Sequence, residues 1–563
     1  MVSWFTKNKS LVLIVGIFVL FLVLRVPSLD RPFYQDERIW VGLEGRGIND
    51  LSGIPHPPLS ALTYLGAVNL FGVDHLRYLP FLLGIANFWL LFLLVKNQFS
   101  RTAAIWSVFF FSIGYFSILA SLMLDTDGQL LPLFFLLSVT AYYKWRGGIK
   151  GRRRLLWIAI LGLSILCGFL VKVSFIIAFI AIILDFLYSR AYILSRSQLL
   201  KTIFVIFGLL VVALLIVLAS LLLLSNSNSI SESLSSPVSY WKHFFVLSGR
   251  NYLQITVQAF KALIYASPLF VLPLLFLTRD LARKLRLFLL YISLGLIFYL
   301  VLFDFSSGAL DRYLQFVIVP MSLIAGVVMK NIFHHPGTQN GRKFLLASFI
   351  IMTALFLAQF LSHSVPALYP KAEWFNDVIT LRWNFLLPFT GGSGPMGFYV
   401  SWLFIGLTWL LTIVLAFAAL IKVRYRRIIW VMILMIGFLY NGIFIEEYTF
   451  GKINGSSPTL LKHTTAFIKS NENIRKIITY NNIGNFELGR MGKFEGRLYV
   501  APKFEANYID ILNNFTGHYL VIDVPRIDPE SPYSKLFSSC SAIYEEHSRA
   551  ISSKIYDCNE KTH

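Results

Sequence analysis

Long apolar segments recur along most of the chain, each close to the length needed to cross a lipid bilayer. Of its 563 residues, 56% are hydrophobic and only 14% are charged, which is more apolar surface than a water-soluble fold can bury. The segments do not alternate residue by residue as barrel strands do. The sequence therefore predicts a polytopic α-helical membrane protein. Its thirteen predicted spans lie near residues 10–28, 77–95, 102–122, 128–143, 155–171, 173–189, 202–224, 262–278, 287–303, 313–329, 344–362, 400–420 and 428–445.

Basic residues are distributed unevenly between the loops that join these spans. Alternate loops carry much of the positive charge, in segments such as "KWRGGIKGRRR", "TRDLARKLR" and "KVRYRR", and contain one clear acid, Asp280. This asymmetry marks the cytoplasmic side of a plasma or inner membrane. We therefore expect the N-terminus inside and the C-terminal tail outside. The net charge of +21 orients the protein and is weak evidence for an anionic partner such as nucleic acid.

The composition becomes polar and mixed after the last span. Residues 1–450 are predicted to form the transmembrane domain, with a first external loop at 29–75, and residues 451–563 a small external α/β domain. In this tail, "SSPTLLKHTTAFIKS" and "NYIDILNNF" read as helices, whereas "KIITY", "HYLVID" and "SKIYDC" read as strands. Cys540 and Cys558 lie on the outer side, where a disulfide is permitted, and two free thiols are the alternative.

Charged residues gather where the predicted spans reach the outer face. Charges at membrane depth are costly and usually face a cavity or one another. Structural ion pairs at helix ends are one interpretation of them, and a shared charged cavity is the one that the whole set favours. The set consists of Asp36, Glu37, Arg38, Asp125, Asp127, Lys172, Lys261, Asp304, Asp311 and Arg312.

The motif "HPPL" at 56–59 predicts the start of a helix in the first external loop. His56 precedes a proline and is expected to be extended, while Pro57 and Pro58 suit the first turn of a helix through "LSALTYLGAVNLFG". That helix is apolar nearly all round, which indicates an interfacial helix or one packed on the bundle. Its N-terminus offers free N–H groups to an anion, and His56 could add a donor. An ordinary loop-to-helix junction is the alternative.

The order of several short motifs resembles the GT-C superfamily of membrane glycosyltransferases. These are "DE" after the first span, "HPPL", "LDTDGQLLPLFF", "LVKVSF" in a tight outer turn, and "RYLQFVIVP" opening a later span. The nearest similarity is to the branch of lipid A aminoarabinose transferases, protein O-mannosyltransferases and rhizobial lipopolysaccharide glycosyltransferases. The lipid A enzymes typically have Lys where this chain has His56. The eukaryotic mannosyltransferases carry a large luminal insert that no loop here can hold.

The resemblance implies roles for individual residues. The first external acid, Asp36, falls on the family's proposed catalytic base, and Asp127 falls on the aspartate that follows the third span. Independently of the resemblance, the adjacent side chains of Asp36 and Glu37 point in different directions on regular backbone, so one can serve the acceptor while the other orients it or binds elsewhere. Whether Asp36 and Asp127 hold a divalent metal is left open. The other cavity candidates are Arg38, Asp125, Lys261, Asp304 and Tyr313.

The chemistry of sugar transfer is consistent with such a site. A carboxylate can activate the incoming nucleophile at the anomeric carbon, as in inverting hydrolases. Cations stabilise the departing phosphate, and His56, Lys172, Arg312 and Arg250 are candidates for that task. An external site needs a donor that has crossed the membrane on a lipid. We therefore expect a monosaccharide donor linked to polyprenyl phosphate and a lipid, glycan or protein acceptor.

Two other functions share much of this pattern, whereas a third, a structural membrane protein whose external domain binds a partner, leaves the outer carboxylates unexplained. An en bloc oligosaccharide ligase or oligosaccharyltransferase would use the same compartment and a related lipid donor. A flippase or transporter of polyprenyl lipids would also need charges within the membrane, but broken helices and weak two-fold repeats would then be expected, and the sequence shows neither. The glycosyltransferase is the favoured interpretation.

Overall fold

A computed structural model describes most of the chain. The described residues are 9–34, 37–48, 56–147, 150–190, 250–253, 276–302, 311–334, 371–389, 396–421, 426–498 and 514–559, together with single positions between these ranges. The predicted spans at 202–224, 262–278 and 344–362 lie wholly or largely outside them. Three candidate site residues also lie outside: Asp36, Lys261 and Asp304.

Helices dominate the first 450 residues. Each predicted span within the described ranges coincides with one helix or with two consecutive helices. The elements are α1 Lys9–Val23, α2 Arg38–Val41, α3 Pro58–Phe71, α4 Tyr78–Gln98, α5 Arg101–Ile113, α6 Tyr115–Leu122, α7 Leu131–Arg146, α8 Arg152–Val171, α9 Ile176–Arg190, α10 Arg279–Lys284, α11 Arg286–Leu302, α12 Ile318–His334, α13 Lys371–Ile379, β1 Leu386–Phe389, β2 Phe398–Ser401, α14 Trp402–Ile421 and α15 Arg426–Thr449.

Several of these helices are suited to a bilayer. In the described part of the chain, six helices are long and apolar enough to cross a membrane, and α5 with α6 makes a seventh if the bent pair is one span. Large apolar side chains such as Leu163 and Val414 are exposed on their outer faces, as expected where a helix faces lipid. The protein is therefore a multi-pass membrane protein with a mostly helical fold.

Helix α12 lies at the centre of the bundle and is buried on nearly all sides. It packs closely against α5. A Cβ atom at Gly326 would collide with the side chain and backbone of Ser107, so glycine permits this close approach of the two helices. The core that results joins α12 to α5, α4 and α11.

The bend of 65° between α5 and α6 at Gly114 is stabilised by two polar side chains from distant helices. A broken helix leaves backbone groups that lipid cannot satisfy. Arg25, which is fully buried, donates to the carbonyl oxygens of Ser112 at 2.9 Å and Phe111 at 3.3 Å. Asn441 accepts from the backbone N–H of Tyr115 at 3.1 Å and donates to the carbonyl of Ile113. The bend redirects α6, from whose end the chain passes directly into 123–130.

The C-terminal region forms a five-stranded mixed sheet with helices, as predicted. The elements are α16 Ser457–Ser470, β3 Ile477–Tyr480, α17 Asn485–Arg490, β4 Phe494–Leu498, β5 His518–Ile522, α18 Pro532–Ser538, β6 Ser541–Ser548 and β7 Ile551–Asp557. The strand order is β4-β3-β5-β7-β6, with β3 parallel to β4 and β5, and β7 antiparallel to β5 and β6. The strands predicted in "KIITY", "HYLVID" and "SKIYDC" are β3, β5 and β7.

Two local predictions for this region are confirmed. Helix α16 starts with Pro458 in its first turn, and the hydroxyl of Ser456 accepts from the backbone N–H of Thr459 as an N-cap. Of the two alternatives for the cysteines, the structure has the disulfide between Cys540 and Cys558. The predicted helix "NYIDILNNF" lies almost entirely outside the described residues.

Candidate active site

The first external loop is attached to the bundle by a buried ion pair between Glu37 and Arg77. The carboxylate oxygens of Glu37 lie 2.5 Å and 2.7 Å from the two terminal nitrogens of Arg77, and both side chains are about 5% exposed. Glu37 also accepts from the backbone N–H groups of Tyr34 at 2.8 Å and Leu124 at 3.0 Å. Both of its oxygens are thus engaged. This arrangement suits a residue that positions the loop.

Arg77 connects the same loop to the end of α6. Its guanidinium donates to the carbonyl of Pro32 at 2.8 Å, to the carbonyl of Arg31 at 3.1 Å and to the carbonyl of Leu122. The ends of the loop segment that contains Asp36 are therefore held against the start of α4 and the end of α6. The position of Asp36 itself lies outside the described residues, so its role as the base stays a prediction.

A π-helical turn at Thr126–Leu130 carries the second candidate aspartate. π-Helical turns are rare and occur frequently at functional sites. Asp127 is completely buried, and its carboxylate is bound by the ammonium group of Lys172. The same ammonium nitrogen lies 5.0 Å from the centre of the Tyr313 ring. Three of the sequence candidates, from three separate segments, therefore meet at one point.

The π-helical turn is held in place from several sides. The side chain of Asp125 accepts from the backbone N–H of Thr126 at 2.6 Å, and its carbonyl accepts from the hydroxyl of Tyr64 at 3.0 Å. A Cβ atom on Gly128 would lie 2.8 Å from the carbonyl oxygen of Ala120, which is too close. Glycine at 128 therefore permits the turn to pack against α6.

A polar network joins this turn to the bend at Gly114. Asn87 donates to both the backbone and the side-chain oxygen of Gln129, each at 2.8 Å. Gln129 donates to the hydroxyl of Ser121 at 3.1 Å, and Arg25 donates to the same hydroxyl at 3.0 Å. The position of Asp127 thus depends on Arg25, just after α1, and on side chains of α4 and α6.

His56 stands just before α3, as predicted. Pro57 is the N-cap and Pro58 the first helical residue. The imidazole stacks on the indole of Trp40, with ring centres 5.2 Å apart, and Trp40 stacks in turn on Tyr64 at 4.1 Å. Because the hydroxyl of Tyr64 contacts the backbone of Asp125, this aromatic stack links His56 to the π-helical turn.

The remaining candidates are less closely associated with this cluster. Arg38 is exposed at the start of α2. Arg250 donates to the carbonyl of Val301 at 2.8 Å. Arg312 lies in the 3-10 turn Asp311–Val317, where the backbone but not its side chain is described. Within the described residues, no three His, Cys, Asp or Glu side chains come together as metal ligands. The sequence left open a metal between Asp36 and Asp127, and Asp36 lies outside the described residues.

Residues of the C-terminal sheet region contact the first external loop. The hydroxyl of Tyr34 donates to the carbonyl of Asn481 at 3.2 Å, and the ring of Phe33 meets that of Phe486 edge-on at 5.2 Å. Exposed ion pairs lie around these contacts, between Lys462 and Asp30 at 2.5 Å and between Arg490 and Asp74 at 2.6 Å.

Sequence reasoning missed Arg31, Arg77 and the tyrosine at 448. Together with Pro32, Tyr34, Glu37, Met123, Met396 and Pro458, these three line a small cleft beside the loop. The signal for Arg77 was available, since a lone arginine at the start of an apolar span needs a partner. Its partner could not be identified from local sequence, because Glu37 lies 40 residues earlier.

Comparisons with known proteins agree with the fold. The sequence profile of the dolichyl-phosphate-mannose-protein mannosyltransferase family matches residues 55–222. The solved structure of ArnT from Cupriavidus metallidurans bound to undecaprenyl phosphate matches with a TM-score of 0.54 and 13% identity, over 98% of each chain. Its apo form matches with a TM-score of 0.51 and 13% identity, again over 98% of each chain.

Other comparisons carry less information. An oligosaccharyltransferase from Archaeoglobus fulgidus matches with a TM-score of 0.46 and 11% identity, over 92% of this chain and 70% of that one. No curated protein sequence matches the chain. The architecture, the profile match and the ArnT likeness agree with the motif order, and the chain therefore has the fold of the GT-C superfamily of membrane glycosyltransferases.

Proposed function

We propose that this protein transfers a monosaccharide from a polyprenyl-phosphate donor to a lipid, glycan or protein acceptor at the outer face of the membrane. The observation that carries the proposal is the ArnT likeness over 98% of both chains, in a structure that holds undecaprenyl phosphate. The family profile at residues 55–222, whose description names a dolichyl-phosphate sugar, supports the same class of donor.

The proposed reaction is a single displacement with inversion at the anomeric carbon. An acceptor oxygen attacks that carbon from the face opposite the phosphate, and a new carbon–oxygen bond forms. The bond from the anomeric carbon to the phosphate oxygen breaks, and polyprenyl phosphate leaves with the electron pair. Asp36 takes the proton of the acceptor oxygen. Glu37 holds the loop that carries Asp36, because its carboxylate is already occupied by Arg77.

The leaving phosphate requires cations, and Lys172 is the best-placed described candidate. Its ammonium group lies between Asp127 and the ring of Tyr313, and its side chain is only 15% exposed. In so little water, a cation stabilises developing negative charge more strongly than it would in solution. Arg312 directly precedes Tyr313 in the turn Asp311–Val317. We propose that its guanidinium binds two phosphate oxygens at once. His56 would add a donor at the N-terminus of α3.

The test is consumption of a defined donor by purified protein in liposomes. A panel of polyprenyl-phosphate monosaccharides with an isotopically labelled sugar is supplied on the outer face, with a membrane extract as the source of acceptor. We expect labelled sugar to leave the polyprenyl phosphate and appear in an acceptor fraction. Asp36→Asn is expected to abolish this transfer without changing the melting temperature. Asp280→Asn, which changes an exposed carboxylate, is the matched control.

The same assay separates the competing functions. An oligosaccharyltransferase or ligase would leave the monosaccharide donor intact and consume a lipid-linked oligosaccharide. A flippase would move labelled donor across the bilayer without breaking its sugar–phosphate bond. Either result, or near-normal transfer by Asp36→Asn, would contradict the proposed reaction.

A further inference from the structure

The cleft beside the first external loop contains a cation that the proposed reaction does not use. Arg31 lies where the chain leaves the first span, three residues after the 3-10 turn Val26–Ser28. Its guanidinium stacks on the ring of Tyr448 at 4.0 Å from the ring centre. Tyr448 is buried at the end of α15 and meets the ring of Tyr115 edge-on at 6.0 Å. The guanidinium is thus held on a rigid aromatic surface.

Positive charge exceeds negative charge among the described residues that line this cleft. The charged lining residues are Arg31, Arg77 and Glu37. Glu37 is engaged bidentately by Arg77. Arg31 forms no ion pair with a carboxylate in the described part of the chain. Burial lowers the pKa of Arg31 from its usual value, and the nearby Arg77 lowers it further against an opposing effect of Tyr448.

A half-buried arginine with this surplus of charge is suited to bind an anion. Removing a cation from water costs free energy unless an opposite charge compensates it. A planar guanidinium stacked on one face by an aromatic ring keeps its edge for bidentate contact with a phosphate or a carboxylate. Arg31 is partly exposed, so an anion can approach it from solvent.

The cleft differs from the place proposed for the donor phosphate. None of Lys172, Asp127 and Tyr313 lines it. Its walls come instead from the first loop, the ends of α6 and α15, the starts of α4 and α16, and Met396 just before β2. Tyr34 and Glu37, which flank the predicted base in the sequence, both line the cleft.

From these observations, and resting on the proposed function, we propose that Arg31 forms a second anion subsite, which binds a phosphate or carboxylate group of the acceptor. An acceptor held there would present its nucleophilic oxygen to the segment around Asp36, while the donor phosphate binds near Lys172. The proposal assigns acceptor binding to a cleft that the transmembrane and C-terminal regions build together.

Binding measurements with purified protein in detergent test this subsite. The probes are dihexanoyl phosphatidic acid for a phosphate, laurate for a carboxylate and dihexanoyl phosphatidylcholine as a zwitterionic control. We expect the wild-type protein to bind one of the two anions, and Arg31→Gln to weaken that binding about tenfold or more, as for the loss of a charge-assisted hydrogen bond. Arg46→Gln, which changes an exposed arginine of the same loop, is expected to have no effect.

A parallel titration with undecaprenyl phosphate separates the two anion sites. Saturating undecaprenyl phosphate is expected to leave the affinity for the anionic probe unchanged, and Arg31→Gln is expected to bind undecaprenyl phosphate normally. If the wild-type protein fails to bind undecaprenyl phosphate, the proposed donor is wrong. The role of Arg31 is decided separately, by the titrations with phosphatidic acid and with laurate.

Three results would overturn the subsite. They are equal anion binding by wild type and Arg31→Gln, competition between the anionic probe and undecaprenyl phosphate, and no binding of either anion by the wild type. If Arg31→Gln does not fold, Arg31→Lys replaces it. That variant keeps the charge but loses the planar stack on Tyr448, so we expect weaker anion binding at an unchanged melting temperature. Unchanged affinity would again contradict the proposal.

Discussion

Glu37 and Arg77 form a bidentate ion pair, with nitrogen–oxygen distances of 2.5 Å and 2.7 Å, in a nearly water-free junction of the first external loop, α4 and α6. Removing one partner of a buried pair leaves an uncompensated charge, which typically costs about 3–5 kcal/mol. Glu37→Gln is therefore expected to lower the melting temperature clearly and to lower kcat through displacement of the loop. Glu44→Gln, in the same loop but half exposed, is the control.

A double-mutant cycle separates positioning from direct chemistry. If Glu37 acts only through the pair, Glu37→Gln and Arg77→Gln should each reduce kcat, and the double variant should lose less than the sum of the two effects. A normal melting temperature for Glu37→Gln together with complete loss of activity would instead make Glu37 a catalytic residue.

Because Lys172 binds Asp127, substitutions of these two residues are expected to change the affinity for the donor in opposite directions. Lys172→Ala removes the cation and is expected to weaken binding of undecaprenyl phosphate, with a smaller loss for Lys172→Arg. Asp127→Asn removes the competing carboxylate, so we expect retained or tighter binding with slower transfer. Titration of each variant with undecaprenyl phosphate checks these effects. Unchanged affinity for Lys172→Ala with a lower melting temperature would show that the pair is only structural.

Gly128→Ala is expected to disturb the π-helical turn. The added Cβ would approach the carbonyl oxygen of Ala120 to 2.8 Å and the side-chain oxygen of Gln315 to 2.9 Å. Because the backbone of α6 cannot move freely, the turn must shift, and Asp127 shifts with it. We expect a lower melting temperature and a substantial loss of transfer.

The matched control for this substitution is Gly162→Ala in α8. Gly162 has open space around its Cβ position, and alanine favours a helix by up to about 1 kcal/mol relative to glycine. The control should be neutral or slightly stabilising. Equal behaviour of the two variants would contradict a steric requirement for glycine at 128.

Glu487 lies in α17, which contacts the first external loop. Its protonation is expected to make the free energy of unfolding depend on pH. Burial raises the pKa of Glu487 to about 7, even though backbone N–H groups, including that of Phe33, oppose the shift. Because this pKa exceeds that of the unfolded chain, the folded state binds more protons. The contribution of Glu487 to the free energy of unfolding therefore increases as the pH falls from about 7 towards the unfolded pKa of about 4.5.

Melting temperatures at pH 5 and pH 8 isolate this contribution. Other groups titrate in the same range, so the difference between wild type and Glu487→Gln is the relevant quantity. We expect Glu487→Gln to be more stable than wild type at pH 8 and to lose that advantage at pH 5. If the difference in melting temperature between wild type and Glu487→Gln is the same at pH 5 and pH 8, Glu487 is ionised in the folded protein over that whole range.

The proposed placement of the site requires the C-terminal sheet region on the outer face. A reporter fused after His563 is expected to be accessible from outside, and one inserted at 147–150, in the basic loop between α7 and α8, only from the cytoplasm. Labelling of introduced cysteines by an impermeant reagent in intact cells provides an independent measurement. A cytoplasmic C-terminal region would contradict the outer location of the donor and acceptor sites.

Features governed by neighbouring residues could be predicted from the sequence. Bilayer-length apolar segments specify helices, since the hydrocarbon core satisfies no backbone hydrogen bonds. The prolines of "HPPL" set the start of α3 because their effect is confined to adjacent backbone. The strands β3, β5 and β7 were likewise visible as short runs rich in β-branched and aromatic residues. The motif order also indicated the GT-C fold.

Only the tertiary structure decided which charges meet. The sequence placed Asp127, Lys172 and Tyr313 at one membrane level but could not show that Lys172 binds Asp127, which lies 45 residues earlier. It named Glu37 beside Asp36 as a catalytic candidate, whereas Arg77 occupies both oxygens of Glu37.

The bend at Gly114 shows the physical reason most clearly. The sequence was interpreted as having no broken helix, and the structure corrects this, because α5 and α6 form a broken pair. The break is tolerated because Asn441, 326 residues beyond Tyr115, satisfies the freed backbone from another helix, together with Arg25 from the first. Apolar periodicity determines where helices form, because it acts over a few residues. Packing determines how their polar groups pair, because the partners are remote in sequence and adjacent only in the folded chain.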